Sequence, residues 1–325
     1  MRSAWFRCEP GRKVSTVAGR SVTVRVPATS ANLGPGFDTL GLALGLYDEL
    51  KVTATDEAQS HADSALTFAI EGVGAHDVAR DASNLVVRAI ARTFEHAGQP
   101  LPGLHLEARN AIPHGSGLGS SAAAIVSGIL AARGLLEGVV EIDSQALLDL
   151  ATELEGHPDN VAPALFGGLT IAWTIAEGPR AKKLFVHREV SPVVFVPAMT
   201  VSTKLARSLQ PASVPYEDAV FNVSRTALLI AALVQSPELL LQATEDKLHQ
   251  NYRSGAMPET SALIAILRAE GLAAVVSGAG PSLLVLANDP AQRQRAVELV
   301  AAASDSPWRA LTLAVDFKGA TVQLH

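Results

Sequence analysis

Hydrophobic residues along this chain follow two different periods. Short runs rich in β-branched and other apolar residues predict β-strands at residues 22–26, 50–54, 66–71, 104–108, 169–175, 193–196, 273–277, 283–287 and 310–315. Longer segments, in which apolar residues recur every three or four positions, predict α-helices at residues 84–97, 122–130, 144–155, 217–234, 259–269 and 290–303. Both halves of the chain therefore combine strands with helices.

A polar, proline-containing stretch at residues 177–183 is the best candidate for a domain boundary. We therefore expect residues 21–178 to form a first domain and residues 179–325 a second domain, with residues 1–20 as a disordered extension. Beyond the boundary, strands and helices follow one another in an order typical of a ferredoxin-like α+β fold. Pro27 is expected to end the first strand, because proline has no amide hydrogen to share with a neighbouring strand.

Three glycines and three serines lie close together between residues 113 and 123, directly before an alanine-rich helical segment. Glycine lets a backbone approach a ligand closely, and either Ser120 or Ser121 can cap the helix. The free amides and the positive dipole end of such a helix bind phosphate. The loop has neither the lysine of a Walker A motif nor the glycine spacing of a dinucleotide-binding motif. It predicts an anion site, although an ordinary connector can have the same composition.

Composition and charge narrow the classes of function. The chain has 325 residues, with 32 Asp and Glu against 26 Lys and Arg and no concentrated basic stripe, which argues against a nucleic-acid partner. The lone cysteine, Cys8, fits a reducing compartment. No apolar run is long enough to span a membrane, and residues 1–20 lack the apolar core of a signal peptide. We therefore expect a cytoplasmic protein without a membrane partner.

Four stretches resemble the motifs of the GHMP small-molecule kinases, in the form found in homoserine kinases. They occur in the order of that family and extend from about residue 22 to the C-terminus. They are PATSANLGPGFD at residues 27–38, PHGSGLGSSA at 113–122, EGHPDNVAPA at 155–164 and GAGPS at 278–282. The last of these has the composition of a tight turn between two strands, and we interpret its role as mainly architectural.

This resemblance implies a fold and an activity. The fold is α+β, a two-domain GHMP kinase fold with an N-terminal ribosomal-protein-S5-like α/β domain that binds ATP and a C-terminal ferredoxin-like domain. The activity is ATP-dependent phosphorylation of the side-chain hydroxyl of L-homoserine, a step of threonine biosynthesis, with Mg²⁺ as a cofactor. The family also suggests a homodimer.

The resemblance assigns the glycine loop to the ATP phosphates. Asn84 falls where the family places an adenine contact, although capping of the following helix explains this residue equally well. The expected nucleotide-binding residues are Pro113, His114, Gly115, Ser116, Gly117, Leu118, Gly119, Ser120, Ser121 and Asn84.

A magnesium site is expected beside this loop. Mg²⁺ prefers oxygen ligands, and in proteins it takes one or two carboxylates together with phosphate oxygens. In the family, a serine of the second motif and a nearby glutamate hold the ion. These correspond to Ser120, or its neighbour Ser121, and Glu155, with Glu153 and Asp149 as alternative carboxylates.

Polar residues around the GPG turn suggest an amino-acid pocket. Asn32 and Asp38 bracket the turn, and on the residues alone a local Asx-turn explains them as well as ligand binding does. The resemblance favours binding, with Asp38 paired to the substrate ammonium and Asn32 hydrogen-bonded beside it. Arg207 and Arg253 match arginines of the family. A planar guanidinium group can form two parallel hydrogen bonds with a carboxylate, although a single arginine is more often a solvated surface charge.

The third motif carries the expected catalytic chemistry. Asn160, together with Asp38, is the expected catalytic residue: homoserine kinases have an asparagine near the substrate hydroxyl, where some GHMP kinases use an aspartate base. We therefore expect direct attack by a hydroxyl that Asn160 orients, with Asp159 as the alternative base. His157 is expected to support the substrate.

Overall fold

Two β-sheets with helices packed against them form the body of the protein, in a computed structural model that describes residues 17–55 and 66–325. The strands are β1 (Ser21–Asn32), β2 (Gly36–Thr55), β3 (Leu66–Gly72), β4 (Gly103–Asn110), β5 (Leu169–Ile175), β6 (Gly178–Leu184), β7 (Ser191–Pro197), β8 (Ala274–Val276), β9 (Leu283–Ala287), β10 (Trp308–Thr312) and β11 (Thr321–Leu324). The helices are α1 (Leu85–His96), α2 (Ser120–Leu135), α3 (Ser144–Glu155), α4 (Pro158–Phe166), α5 (Thr203–Ser208), α6 (Tyr216–Val234), α7 (Leu240–Ala243), α8 (Gln250–Arg253), α9 (Pro258–Ala269) and α10 (Pro290–Ala303).

The first sheet has the strand order β11-β1-β2-β4-β3, and the long strand β2 also pairs with β5, which pairs with β6. All of these pairs are antiparallel except β3 with β4. The expectation that Pro27 ends the first strand is wrong, since β1 continues to Asn32. The pairing with β2 shifts register between Pro27 and Ala28, and such an irregularity accommodates a residue without an amide hydrogen.

Helix α2 is the centre of the first core. Most of its residues are buried, which its alanine-rich sequence allows because small side chains let helices pack closely. Gly128 is the point of closest approach: a Cβ there would lie 2.5 Å from the carbonyl oxygen of Val86 in α1. This dense packing holds the start of α2 in a fixed position relative to the sheet.

The second sheet has the order β10-β7-β9-β8, and all its pairs are antiparallel. Strand β7 is buried on both faces, which explains its continuous apolar run. Val193 and Phe195 pack into a second core with α9 and α10, whereas Val194 and Val196 belong to the first core. The two domains therefore share a buried apolar interface, and the α+β, ferredoxin-like expectation for the second half is confirmed.

The domain boundary expected at residues 178/179 needs correction. Strands β5 and β6 form an antiparallel hairpin, so this boundary would divide one hairpin of the first sheet. The polar sequence of β6 is that of an edge strand that pairs only with β5, and an edge strand tolerates Pro179. The chain passes to the second sheet between Leu184 and Ser191, and β11 later returns to pair with β1.

Most of the other predicted elements are present. Strand β5 and helices α3 and α10 have the bounds that the hydrophobic pattern predicts, and Asp143 caps α3 by accepting a hydrogen bond from the amide of Ala146. Helix α4 was not predicted, because its two prolines mask the helical period. Within the two described ranges, no helix combines the length and apolar character needed to cross a membrane.

Candidate active site

The glycine loop connects β4 to α2, and its backbone geometry requires glycine. Gly115, Gly117 and Gly119 have φ values of 61°, 83° and 68°, in the left-handed region that other residues rarely adopt. Space is also restricted. A Cβ on Gly117 would collide with the carbonyl oxygen of Ser277, and one on Gly119 would collide with the hydroxyl of Thr29.

The start of α2 differs from the expectation that a serine caps it. The capping residue is Gly119, which makes no side-chain hydrogen bond to the helix, and Ser120 is already the first helical residue. The first backbone hydrogen bond of the helix runs from the amide of Ala123 to the carbonyl of Gly119. The amides before it have no carbonyl within the helix to bind, so this end is suited to bind an anion.

Two of the predicted nucleotide-binding residues have their side chains turned into the protein. The Ser116 hydroxyl donates to the Pro113 carbonyl at 2.8 Å, and the residue is buried. Leu118 belongs to the first core, and its carbonyl accepts a hydrogen bond from the amide of Thr29 at 3.1 Å. Neither residue lines the cavities beside the loop, so these two residues shape the loop rather than contact a ligand.

A cavity of about 270 Å³ lies beside the loop and brings together most of the predicted site residues. It lies between the two domains, because α5, α8 and the turn after β8 contribute to its wall. The lining residues are Asn32, Asp38, Gly115, Gly117, Gly119, Ser120, Ser121, Glu155, His157, Asp159, Asn160, Arg207, Arg253, Gly278 and Ala279. Residues from all four motifs therefore converge on one space.

A second cavity, of about 410 Å³, shares Ser120 and Ser121 with the first and contains Asn84 and His114 in its wall. Asn84 caps α1: its side-chain oxygen accepts from the amide of Val86 at 2.9 Å, and its nitrogen donates to the carbonyl of Ala79 at 2.7 Å. Asn84 therefore caps a helix and also borders this cavity, and its contact with adenine stays a prediction.

Asn32 and Asp38, which bracket the GPG turn, both line the cavity, and the hydrogen bond between them spans six residues rather than the two of an Asx-turn. Asn32 and Asp38 have φ values of 69° and 53°, a strained geometry that is frequent at functional sites. The Asn32 side-chain oxygen accepts from the amide of Asp38 at 3.0 Å, and its nitrogen donates to the carbonyl of Gly278 at 2.8 Å. Asn32 therefore joins the first motif to the last and positions Asp38.

Two arginines face Asp38 from the second domain. Arg207 forms a two-pronged ion pair with the Asp38 carboxylate, at 2.8 and 3.1 Å. Arg253 is buried, lies over the ring of Phe37 at 5.1 Å and donates to the carbonyl of Gly278 at 3.3 Å. Burial lowers the pKa of Arg253, although the charge of Asp38 opposes this effect. Neither arginine is a free surface charge.

Helix α4 presents the third motif. His157 precedes its first turn, and the ring Nδ1 lies 2.5 Å from the carboxylate of Asp159, which is 2% exposed. Burial acts to lower the pKa of His157, but the hydrogen bond and charge of Asp159 outweigh it, so the pKa is raised. The Asn160 side-chain oxygen accepts from the Thr29 hydroxyl at 2.8 Å, which fixes the orientation of the amide.

The three candidate metal carboxylates have different partners. Glu155 lines the cavity and accepts a hydrogen bond from the Ser121 hydroxyl at 2.7 Å, and burial raises its pKa. Glu153 pairs instead with Arg92 at 2.9 Å outside the cavity, and Asp149 accepts from Gln145 at 2.7 Å. The geometry therefore favours Glu155, with Ser121 as its immediate neighbour rather than Ser120.

The oxygen atoms of Glu155 and Ser121 fit the preference of Mg²⁺ for hard ligands. Within residues 17–55 and 66–325 there is no cluster of three or more His, Cys, Asp and Glu side chains that could hold a metal without further ligands. Phosphate oxygens and water would complete the coordination shell.

Two residues that the sequence did not single out take part in this site. Thr29 holds Asn160, and the buried His249 contacts both the GPG turn and Arg253. Thr29 lies inside the first motif and His249 lies one helical turn before Arg253. Both therefore lie close in sequence to predicted site residues, but only the fold shows what they contact.

Comparisons with known proteins point to one family. The family model of the GHMP kinases N terminal domain matches residues 84–168, and that of the GHMP kinases C terminal matches residues 228–304. The chain is 69% identical to the homoserine kinase of Clavibacter michiganensis over 94% of this chain and 95% of that protein. It is 50% identical to the homoserine kinase of Streptomyces coelicolor, over 93% of this chain and 94% of that protein.

Solved structures show the same architecture. The crystal structure of homoserine kinase from Cytophaga hutchinsonii has a TM-score of 0.81 and 27% identity, over 99% of this chain and 100% of that one. A putative homoserine kinase from Listeria monocytogenes has a TM-score of 0.73 and 29% identity, over 93% of this chain and 99% of that one. With the four motifs converging on one cavity, these relationships show that the chain belongs to the homoserine kinase family of the GHMP kinases.

Proposed function

We propose that this protein transfers the γ-phosphoryl group of ATP to the side-chain hydroxyl of L-homoserine and forms O-phospho-L-homoserine. The observation that carries this proposal is the arrangement of Asp38, Arg207 and Arg253 around a cavity bordered by the glycine loop. A carboxylate and two guanidinium groups complement the ammonium and carboxylate of an α-amino acid. The loop supplies a phosphate site within the same cavity.

ATP would bind with its phosphates over residues 115–121 and its base and ribose in the cavity that Asn84 borders. Glu155 and the Ser121 hydroxyl, with Ser120 close by, would hold Mg²⁺. Bound there, the ion supplies positive charge against the phosphate oxygens. The amides at the start of α2 add to this neutralisation, which replaces the lysine of a Walker A loop.

Homoserine would bind by replacing the contacts between Asp38 and Arg207 with contacts to its own charged groups. Its ammonium would take one side of the Asp38 carboxylate, and its α-carboxylate would lie between Arg207 and Arg253. Each charge in the ion pair thereby gains a partner of opposite sign from the ligand. Substrates that lack an ammonium, such as mevalonate or a sugar, would leave the partly enclosed Asp38 without its counterpart, which disfavours them.

Phosphoryl transfer depends mainly on positioning and charge neutralisation. We propose that Asn160, held by Thr29, orients the homoserine hydroxyl towards the γ-phosphorus. The new bond from this oxygen to phosphorus forms as the bond to the β-phosphate oxygen breaks, and the hydroxyl proton passes to the transferred phosphoryl group. Asp159 is the alternative proton acceptor, although its carboxylate is engaged by His157.

A coupled assay of ADP release tests the activity with homoserine, threonine, serine and mevalonate. Turnover that is fastest with homoserine is the expected result, and turnover with mevalonate alone would refute the assignment. A protein of this fold that only binds ligands would give no turnover with any of them. Asn160→Ala should lower kcat far more than it lowers ATP affinity, and an unchanged kcat would contradict the role of Asn160.

Two further properties are proposed from the family alone. The protein is expected to act in the cytoplasm and to form a homodimer. Light scattering of the purified protein at several concentrations measures its mass, and a monomer at all of them would contradict the dimer.

A further inference from the structure

A buried histidine connects the two sides of the amino-acid pocket. His249 directly precedes α8, four residues before Arg253, and is 0% exposed. Its ring stacks on that of Phe37, with centroids 5.0 Å apart and planes inclined by 20°. Phe37 is the residue before Asp38, so the histidine packs against the start of β2, which carries the proposed ammonium ligand.

Both ring nitrogens of His249 have partners, one in the GPG turn and one in the pocket wall. Nε2 lies 2.7 Å from the carbonyl oxygen of Gly34, and Nδ1 lies 3.3 Å from Nη1 of Arg253. A carbonyl only accepts and a guanidinium only donates. One neutral tautomer satisfies both contacts: Nε2 carries the hydrogen and donates to Gly34, while Nδ1 accepts from Arg253.

The surroundings favour this neutral form. Burial lowers the pKa of His249, and the charge of Arg253 acts in the same direction, whereas Asp246 and Asp38 act to raise it. The Asp246 carboxylate is 3.6 Å from Nε2, but it also accepts from the backbone amides of residues 248, 249 and 250. A protonated ring would place an N–H group against the Arg253 guanidinium and lose that hydrogen bond.

We propose that His249 is a positioning residue for substrate recognition: it holds the Arg253 guanidinium at a set distance from the GPG turn, which leads into Asp38. The spacing between these two charged groups must match the spacing between the carboxylate and ammonium of an α-amino acid. His249 contacts the carbonyl of the turn with one nitrogen and the arginine with the other, so it transmits this spacing without touching the ligand. This inference rests on the proposed binding of the α-carboxylate by Arg253.

Two conservative variants separate the two contacts. The amide nitrogen of glutamine can take the place of Nε2, so His249→Gln retains the donor to Gly34 and removes the acceptor for Arg253. The amide oxygen of asparagine can take the place of Nδ1, so His249→Asn retains the acceptor and removes the donor. Tyr252→Phe, on the same helix and outside the cavity, serves as the matched control.

The experiment compares two ligands, L-homoserine and 3-amino-1-propanol, which has the same ammonium and hydroxyl but no carboxylate. Inhibition or turnover gives an affinity for each. His249→Gln should lower the affinity for homoserine about tenfold or more, the effect of losing a hydrogen bond to a charged group. The affinity for 3-amino-1-propanol and the KM for ATP should stay unchanged. Arg253→Ala should show the same selectivity, and adding His249→Gln to it should cost little more.

Each other outcome is decisive. A His249→Gln protein with unchanged homoserine affinity, or with equal losses for both ligands and ATP, would overturn the positioning role. If Arg253→Ala leaves homoserine affinity unchanged, the proposed carboxylate site is wrong instead. Thermal unfolding shows whether each variant is folded. If His249→Gln is not folded, His249→Asn replaces it. A loss of homoserine affinity smaller than that of Arg253→Ala then supports the proposal, and an equal loss of affinity for both ligands overturns it.

Discussion

The Asp38 carboxylate accepts two hydrogen bonds from the Arg207 guanidinium, at 2.8 and 3.1 Å, although 169 residues separate them in the chain. Asp38 lies near the start of β2, just after the GPG turn, and Arg207 belongs to α5 of the second domain. The pair therefore spans the cleft between domains. Both side chains are 38% exposed, so water screens their attraction and a ligand can replace it.

Arg207 is expected to contribute to homoserine binding and not to ATP binding. Replacement of Arg207 by alanine should raise the KM for homoserine about 10- to 100-fold, as expected for the loss of charged hydrogen bonds to a carboxylate. The KM for ATP should stay within about twofold of the wild-type value. Steady-state kinetics with each substrate varied in turn measures both. Lys204→Ala, an exposed cation on the same helix, is the matched control, and an equal effect of both substitutions would contradict the specific role of Arg207.

Thr29 is expected to support catalysis through Asn160. Thr29→Val keeps the shape of the side chain but removes the hydroxyl that donates to Asn160, whereas Thr29→Ser keeps the hydroxyl and removes a methyl group. Because a free amide orients the substrate hydroxyl less well, kcat of Thr29→Val should fall about tenfold. Thr29→Ser should keep more of its kcat, even though the lost methyl group makes it less stable. A slower serine variant would contradict this assignment.

Glu155 is expected to carry the magnesium dependence. Glu155→Gln should raise the Mg²⁺ concentration needed for half-maximal activity at least about tenfold, because a neutral amide is a poorer ligand for this ion. Glu153→Gln lies on the same helix and loses only the surface pair with Arg92, so its Mg²⁺ requirement should not change. A titration of activity with Mg²⁺ measures both variants. A shift for Glu153→Gln alone would reverse the assignment.

Two glycines, one of them in the glycine loop, allow the effect of close packing to be separated from that of backbone strain. Gly117 and Gly138 both have left-handed φ values, of 83° and 74°, but a Cβ on Gly138 would meet nothing within 4 Å. Gly138→Ala should therefore cost only about 1–2 kcal/mol of backbone strain. Gly117→Ala adds a collision with the Ser277 carbonyl, so it should lower the melting temperature further and weaken ATP binding. Equal melting temperatures and equal ATP affinities for the two variants would contradict this.

The lowered pKa of His249 predicts how the stability of the protein depends on pH. Its pKa is lowered in the folded state from an ordinary value of 6.5, so the unfolded chain takes up a proton first as the pH falls. The wild-type protein should keep its full advantage in melting temperature over His249→Gln above pH 6.5 and lose it progressively below that value. The loss is at most about 1.4 kcal/mol per pH unit. An advantage that grows in acid would mean that Asp246 stabilises a protonated ring.

Local pattern predicts an element well when one face of it is buried and the other is not. Helix α3 satisfies this condition, with a capping aspartate before it and Gly156 after it, and its bounds agree with the prediction. Strand β6 and helix α4 do not satisfy it. The first is a polar edge strand that resembles a linker, and the second carries prolines that conceal its period. Both depend on neighbours distant in the chain.

The sequence by itself determined the family, many of the strands and helices, and the residue types of the site. Its glycines, motifs and apolar periods are local properties, and these are visible in a linear chain. Only the tertiary structure decided which carboxylate adjoins the loop, that Asp38 faces Arg207, and that His249 links the GPG turn to Arg253. These relationships are contacts between distant segments, and they exist only after two sheets pack through a shared core and bring the segments to one cavity.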